Sequence, residues 1–154
     1  MSIRRKKNIL RVKLWVFVLI LLMIFSGVSM AQEAAKDSEY LQKIALCKDV
    51  MEKNPLRETN FFFPQDEKVV TWIRFSYDSA EKFKLYWEWI TPEGKLYHRG
   101  EVEMEAGNYI NYRTWYWIKI RGNYPSQLPG EWKVRVYIND IFLAEKNFFI
   151  VGPF

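Results

Sequence analysis

The chain has 154 residues, which suits a single domain, and 18% of them are aromatic. Its formal net charge of +5 would suit a nucleic-acid-binding protein, but six of its 23 basic residues lie among the first 13 positions. The rest of the chain carries 17 basic residues against 18 acidic ones, a net charge of −1. The basic excess therefore belongs to the N-terminal segment, and we expect no nucleic-acid partner.

The first 31 residues have the organisation of a secretory signal peptide. The basic segment Met1–Lys13 precedes the apolar run Leu14–Phe25, and Ser29 and Ala31 occupy the −3 and −1 positions of a signal-peptidase site. We predict cleavage after Ala31 and a periplasmic or secreted mature protein. The run of 12 residues is short for a bilayer span, but extended through Ala31 it reaches 18. The alternative is therefore that residues 14–31 stay uncleaved and anchor the protein in the inner membrane. We expect no other contact with a membrane.

Cys47 is the single cysteine, so no internal disulfide can form. We expect it to be a small buried hydrophobic side chain, as free cysteines usually are. An intermolecular disulfide is the alternative. Without an internal disulfide the domain depends on burial of apolar surface, and the mature chain is long enough for one core.

Residues 32–42 are polar and predict a flexible leader, which places the folded domain at residues 43–154. Residues 41–51 fit the apolar spacing of a helix and of a strand, and we favour a strand near Ile44–Val50. Three later segments alternate apolar and polar residues as strands do. They are Lys68–Tyr77, Lys82–Thr91, and Leu96–His98 with a continuation past Gly100 to Met104.

The C-terminal stretch predicts a β-hairpin. Trp132, Val134, Val136 and Ile138 alternate with charged or polar residues, which places the apolar set on one face of a strand. Asn139-Asp140 then supplies two residues that tolerate positive φ in a tight turn. A returning strand completes the hairpin, and the domain closes with it.

Together with a fifth strand at Tyr109–Ile120, the chain shows about seven short strands, turn signals between them and no convincing helix. This pattern predicts an all-β fold, an immunoglobulin-like antiparallel β-sandwich preceded by the signal peptide. Closure into a barrel is the alternative, because strand count alone does not exclude it.

Four separated stretches resemble one family. They are Cys47-Lys-Asp-Val50 with Asn54-Pro55, Trp89-Ile-Thr-Pro-Glu-Gly-Lys-Leu96, Arg113-Thr-Trp115, and Pro129-Gly-Glu-Trp-Lys-Val-Arg-Val136. In this order they are similar to an uncharacterised family of bacterial exported β-sandwich domains of unknown function. Its members carry an Arg-Thr-Trp strand and a closing Gly-x-Trp-x-Val-x-Val hairpin. One departure is Trp87-Glu88-Trp89, where the family has a His-Arg-Trp strand. The resemblance implies a β-sandwich and a cell-envelope location, and no activity.

Residues suited to catalysis are scarce. His98 is the one histidine, no nucleophile elbow is present, and one histidine with one cysteine cannot complete a zinc site. Glu101, Glu103 and Glu105 alternate along a strand and could collect Ca²⁺. We interpret them as a solvated edge that resists edge-to-edge pairing, and His98 as a surface residue. We therefore predict no enzymatic activity, catalytic residue, metal or cofactor.

The fifth strand has two competing faces. We place the more continuous apolar set inward, because an unpaired cation in the core would cost several kcal/mol. The inward set is Tyr112, Thr114, Tyr116, Ile118 and Ile120. The outward set is the candidate ligand- or partner-binding site: Arg113, Trp115, Trp117 and Lys119.

Two alternatives explain these outward tryptophans without a ligand. Arg113 and Lys119 could stack on the rings as cation–π pairs. The N-terminal segment or a second subunit could also cover the rings, since exposed apolar clusters usually find cover.

These observations lead to two functional hypotheses. The first is a non-enzymatic binding or structural module of the bacterial cell envelope, with an envelope protein or a glycan as its partner. The second is a carbohydrate-binding module that uses Trp115 and Trp117, because tryptophan rings stack on sugars.

Overall fold

The computed structural model describes residues 38–152, which form two β-sheets. The predicted signal peptide and the alternative anchor at residues 14–31 lie outside these residues. The nine strands are β1 (Leu41–Met51), β2 (Asn54–Glu58), β3 (Phe61–Phe62), β4 (Lys68–Ser79), β5 (Phe83–Ile90), β6 (Leu96–Met104), β7 (Gly107–Lys119), β8 (Gly130–Ile138) and β9 (Ile141–Ile150). A single 3-10 turn at Tyr124–Gln127 precedes β8. Among the described residues, no helix is long and apolar enough to cross a bilayer.

One sheet has the strand order β2-β1-β4-β7 and the other the order β3-β9-β8-β5-β6. All pairs are antiparallel except β3 with β9. The predicted all-β sandwich is confirmed, and two separate sheets with free edges replace the alternative barrel. The two strands beyond the expected seven are β2 and β3. Both are short and carry little alternation, so the sequence pattern could not reveal them.

Residues 41–51 form a strand, because β1 pairs with β4 over Leu41–Cys47 and with β2 over Cys47–Met51. The predicted strand at Ile44–Val50 lies within it. β1 begins at Leu41, ahead of the domain start predicted at residue 43. The Ser38 N–H donates a hydrogen bond of 2.8 Å to the Leu143 carbonyl, so the chain is already joined to β9 there.

The core lies between the two sheets and combines aromatic rings with aliphatic side chains. The inward residues of the closing hairpin, Trp132, Val134, Val136 and Ile138, are all 0% exposed, as predicted. The Trp132 indole N–H donates to the Leu128 carbonyl at 2.9 Å, which satisfies its buried polar group. The predicted inward set of β5 is buried with it: Phe83, Leu85, Trp87 and Trp89.

The turn of the β8–β9 hairpin also forms hydrogen bonds to β5. Both turn residues tolerate a positive φ, and the turn uses one at Asn139, with φ 48°, but not at Asp140. The Asn139 side-chain oxygen accepts from the Lys84 N–H at 2.9 Å, and the Asn139 N–H donates to the Lys84 carbonyl at 2.8 Å. The turn therefore fixes the β8–β9 hairpin to the start of β5.

Tyr116 closes the side of the sandwich where β6 and β7 face each other. Its ring lies across Gly100 of β6, where a Cβ atom would fall inside contact distance of the ring carbons. The ring also stacks on buried Trp87, with centroids 5.7 Å apart and planes at 25°. Gly100 is needed here because any larger side chain would displace the ring.

We predict that Trp132→Ala lowers the free energy of unfolding by about 3–5 kcal/mol, as large aromatic truncations in cores do. Urea denaturation measures this change. Trp117→Ala is the matched control, since that ring is 47% exposed and its loss should change stability by less than about 1 kcal/mol. Similar small effects at both positions would contradict the inward assignment of Trp132.

We also predict that Gly100→Ala destabilises the domain by about 1–3 kcal/mol through overpacking against Tyr116. Combining it with Tyr116→Ala should cost clearly less than the sum of the two single changes, because the clash then disappears. Thermal or urea denaturation of the four proteins completes this cycle. Strict additivity would show that the two residues do not meet.

Candidate functional site

The candidate residues lie on the outer face of the four-stranded sheet, where strand pairing aligns them with residues of β1 and β4. Trp115 is opposite Trp72, which is opposite Ala45. In the next row on this face, Trp117 is opposite Val70, which is opposite Cys47. The flanking rows contain Lys43, Arg74 and Arg113 on one side and Asp49, Lys68 and Lys119 on the other. The outer face therefore carries an apolar stripe between two rows in which cations outnumber carboxylates.

The turn of the β1–β2 hairpin covers one part of this stripe. The Trp72 indole N–H donates to the Lys53 carbonyl at 2.9 Å, and Trp72 is only 2% exposed. The Arg113 guanidinium donates to the Asn54 side-chain oxygen at 3.0 Å. Trp115 is half-buried and packs against the cluster of Ala45, Cys47, Val70 and Trp72. Trp115 and Arg113 are therefore engaged by the fold itself.

The hairpin turn that provides this cover is conformationally demanding. Glu52 and Lys53, its two central residues, have φ 50° and 62°. Two successive positive φ values define the type I′ turn that matches the twist of paired strands, and neither position holds the usual Asn or Gly. The contacts to Trp72 and Arg113 help to hold this turn in place.

Cys47 lies inside the same cluster and is 0% exposed, as predicted. Burial raises the pKa of its thiol, more than the nearby backbone hydrogen bonds lower it. The reactive thiolate is therefore disfavoured, and the side chain serves as a small apolar group.

Trp117 and Lys119 remain accessible. Trp117 is 47% exposed. The ammonium nitrogen of Lys68 lies 5.9 Å from the centroid of the Trp117 ring. Lys68 is in turn held by Asp49, with Nζ 2.9 Å from Oδ1. The alternative in which Arg113 and Lys119 stack on the tryptophan rings is wrong, since within residues 38–152 the cation over Trp117 is Lys68. Lys68 takes the position because it lies diagonally across from Trp117 on β4, and Arg113 is bound to Asn54 instead.

An open groove of about 280 Å³ runs between β6 and β7 beside Trp117. Its lining combines two residues of β6, three of β7 and one of the loop that follows: Tyr97, His98, Trp117, Ile118, Lys119 and Asn123. Tyr97 stacks on Tyr124 at 5.7 Å and packs edge-on against Trp132 at 5.5 Å. His98 is exposed, as predicted, and lies parallel to Tyr116 with centroids 5.8 Å apart. No signal in the sequence joined the β6 residues to β7, because they lie 19 to 22 positions from the β7 residues of the lining and meet them only across the sandwich edge.

The glutamate row forms a solvated edge on β6, in agreement with our interpretation. The Lys82 Nζ atom lies 2.9 Å from Oε1 of Glu105 and 3.5 Å from Oε1 of Glu103. The Lys84 Nζ atom lies 3.1 Å from Oε1 of Glu101. All three carboxylates are exposed. Within residues 38–152, no group of three or more His, Cys, Asp or Glu side chains could hold a metal ion.

Comparison with known proteins supports the fold and goes no further. No protein-family model matches the chain, and no curated protein matches it. The structure is similar to an immunoglobulin-like protein from Pseudomonas aeruginosa, with a TM-score of 0.51 and 16% sequence identity. The match covers 77% of this chain and 98% of that protein. The chain is thus an immunoglobulin-like β-sandwich protein.

The Asp49–Lys68 pair beside Trp117 predicts a pH dependence. The hydrogen bond from Lys68 lowers the pKa of the Asp49 carboxyl below its usual value of about 3.9. A lowered folded-state pKa means that ionised Asp49 stabilises the domain above the unfolded-state pKa. This stabilisation is lost as the pH falls through the folded-state value.

Asp49→Asn should therefore be less stable than the parent near neutral pH, and the gap should close at low pH. Urea denaturation across the acid range measures the gap, which is small because the pair is partly exposed. Lys68→Gln is the control, since it should return the NMR titration midpoint of Asp49 towards the usual value. A gap that does not change with pH would contradict the pairing.

Proposed function

We propose that this domain is a non-enzymatic binding module of the bacterial cell envelope, exported as a mature chain that begins at Gln32. Its binding surface is the groove between β6 and β7, with Trp117 and Lys119 at its rim. The signal-peptide organisation of residues 1–31 supports export. The resemblance to exported β-sandwich domains and the immunoglobulin-like fold support a binding role in place of catalysis.

The observation that carries this proposal is the exposure of Trp117. Of the six tryptophans that the structure describes, Trp72, Trp87, Trp89 and Trp132 are at most 2% exposed, and Trp115 is half-buried. Trp117 is 47% exposed next to a concave groove that also presents Tyr97. Large aromatic side chains at the rim of a groove are typical anchors of protein interfaces, since they bury much area with few rotatable bonds.

A carbohydrate ligand is the second candidate. The groove places two aromatic rings, Tyr97 and Trp117, near the amide of Asn123 and the imidazole of His98. Rings that stack on a sugar and polar groups that bind its hydroxyls are the usual composition of such sites. The carbohydrate hypothesis also includes Trp115. Its ring is less accessible to a sugar than that of Trp117, because the β1–β2 hairpin turn lies over its row.

We predict that Trp117→Ala leaves the free energy of unfolding within about 1 kcal/mol of the parent and abolishes capture of the envelope partner. A photo-crosslinking residue placed at position 124, where the exposed Tyr124 ring stacks on Tyr97 of the groove, reports capture by the exported protein in intact cells. The same residue at position 95, in the turn between β5 and β6, is the control for non-specific crosslinking. Cosedimentation with peptidoglycan and binding to a glycan array identify a carbohydrate partner.

Trp115→Ala is the matched comparison on the same strand face. It should destabilise the domain by about 2 kcal/mol, because Trp115 packs on the apolar cluster under the hairpin. Retained capture by a folded Trp117→Ala protein would show that the binding surface lies elsewhere. Loss of folding in Trp117→Ala would show that this ring is structural.

A further inference from the structure

The four edge strands of the sandwich differ in how they are protected against pairing with another chain. β3 has two residues, and β2 has five that include Pro55 and Arg57, the latter with φ 57°. β6 carries charged side chains that are paired with β5 and with the residues before it, as in Lys84 with Glu101. Short length, proline, irregular backbone and charge are the usual protections of a sheet edge.

β7 carries the charges of Arg113 and Lys119 and an irregularity near its start, but it is neither short nor interrupted by proline. With 13 residues it is the longest strand in the described part of the chain, and it pairs with β4 alone. An extra residue near Asn111, which has φ 51°, interrupts the pairing, but the run Tyr112–Lys119 is regular. Along this run the outer N–H and C=O groups of the backbone have no strand partner among the described residues. β7 therefore offers a row of about eight residues to which an extended chain could add.

The groove lies at the C-terminal end of this backbone edge. Trp117, Ile118 and Lys119 line it in succession on β7, as do Tyr97 and His98 on β6. Successive side chains of a strand point to opposite faces of the sheet. Three consecutive residues can therefore line the same groove only where the groove is bounded by the backbone edge of their strand. The groove is thus a slot bounded by two strand edges, which is the position that an extended peptide adding to β7 would occupy.

The charge of the slot defines the partner further. β7 contains no carboxylate, and neither does the groove lining. Lys119 is exposed and forms no ion pair within residues 38–152, and Arg113 is bound to the neutral side chain of Asn54. An occupant with acidic side chains would complement these cations.

A second copy of β7 is a poorer occupant. Antiparallel pairing of two β7 strands about Tyr116 would place Arg113 of each copy opposite Lys119 of the other. Like charges directly opposite each other destabilise a strand pair, and β7 has no carboxylate to relieve them. The charge pattern therefore favours a different, acidic chain.

We propose that the ligand of this groove is an extended, acidic polypeptide segment that adds to the free edge of β7 as a further strand. The proposal rests on the binding function above and names its ligand class. Backbone hydrogen bonds to Tyr112–Lys119 provide the pairing. Trp117 provides an apolar contact at the slot, and Lys119 selects for acidic side chains.

The test uses the exported protein and three synthetic eight-residue peptides. The first alternates Glu and Val, the second replaces each Glu by Lys, and the third is the acidic peptide with every backbone nitrogen methylated, so that neither edge can donate a hydrogen bond. We expect the acidic peptide to bind and both others to bind at least about tenfold more weakly, because charge and backbone donors are each required. Binding should also slow amide hydrogen exchange within residues 112–119.

The protein variants locate the site. Lys119→Gln should weaken binding of the acidic peptide by about three- to tenfold, as loss of one accessible charge contact does. Lys95→Gln is the matched control, because Lys95 is exposed and paired only with Glu93 in the β5–β6 turn. It should leave the affinity unchanged.

Several results would overturn the strand-addition model, and they differ from those that would overturn the binding function. Equal affinity for the methylated peptide would exclude backbone pairing. Glycan binding that requires Trp117, without peptide binding, would make the ligand a carbohydrate and leave the binding function intact. Self-association that protects residues 112–119 from exchange would make the occupant a second copy. Unchanged crosslinking of the folded Trp117→Ala protein in cells would instead reject the binding function itself.

Discussion

Aromatic packing between the two sheets is the interaction on which the rest of this structure depends. Cys47 is the only cysteine, so no internal disulfide supports the sandwich. The rings form a connected set in which Phe148 contacts Trp89, Trp132 and Phe62 with centroid separations of 5.9, 6.2 and 5.7 Å. Such pairs add directional energy to the area that they bury, which suits a domain of this size.

Packing of buried aromatic and apolar side chains also stabilises the outer face of the four-stranded sheet. β4 is buried on both faces, since Ile73 and Phe75 belong to the main core while Val70 and Trp72 belong to the smaller cluster. The β1–β2 hairpin turn encloses that cluster through its contacts with Trp72 and Arg113. A substitution in this turn would therefore act on core packing, even though its own side chains are exposed.

The binding surface arises where this enclosure ends. Trp117 lies one row beyond Trp115 and next to the edge of β7 that is unpaired in the described part of the chain, where it has Lys68 over its ring and no hairpin above it. The groove takes its other wall from β6, whose Gly100 allows Tyr116 to close the interior below. The packing that seals the core at this edge thus also shapes the slot beside it.

The sequence by itself determined seven of the nine strands and the inward residues of β5 and β8, because side chains alternate strictly across a strand. It also determined that Trp117 and Lys119 face outward, since two cations could not share the interior. Only the tertiary structure decided that Trp115 is half-buried, that β7 lies at an edge, and that Tyr97 and Asn123 meet Trp117. Alternation fixes the side to which a residue points. What lies above that side depends on pairings between residues far apart in the chain, which no local pattern encodes.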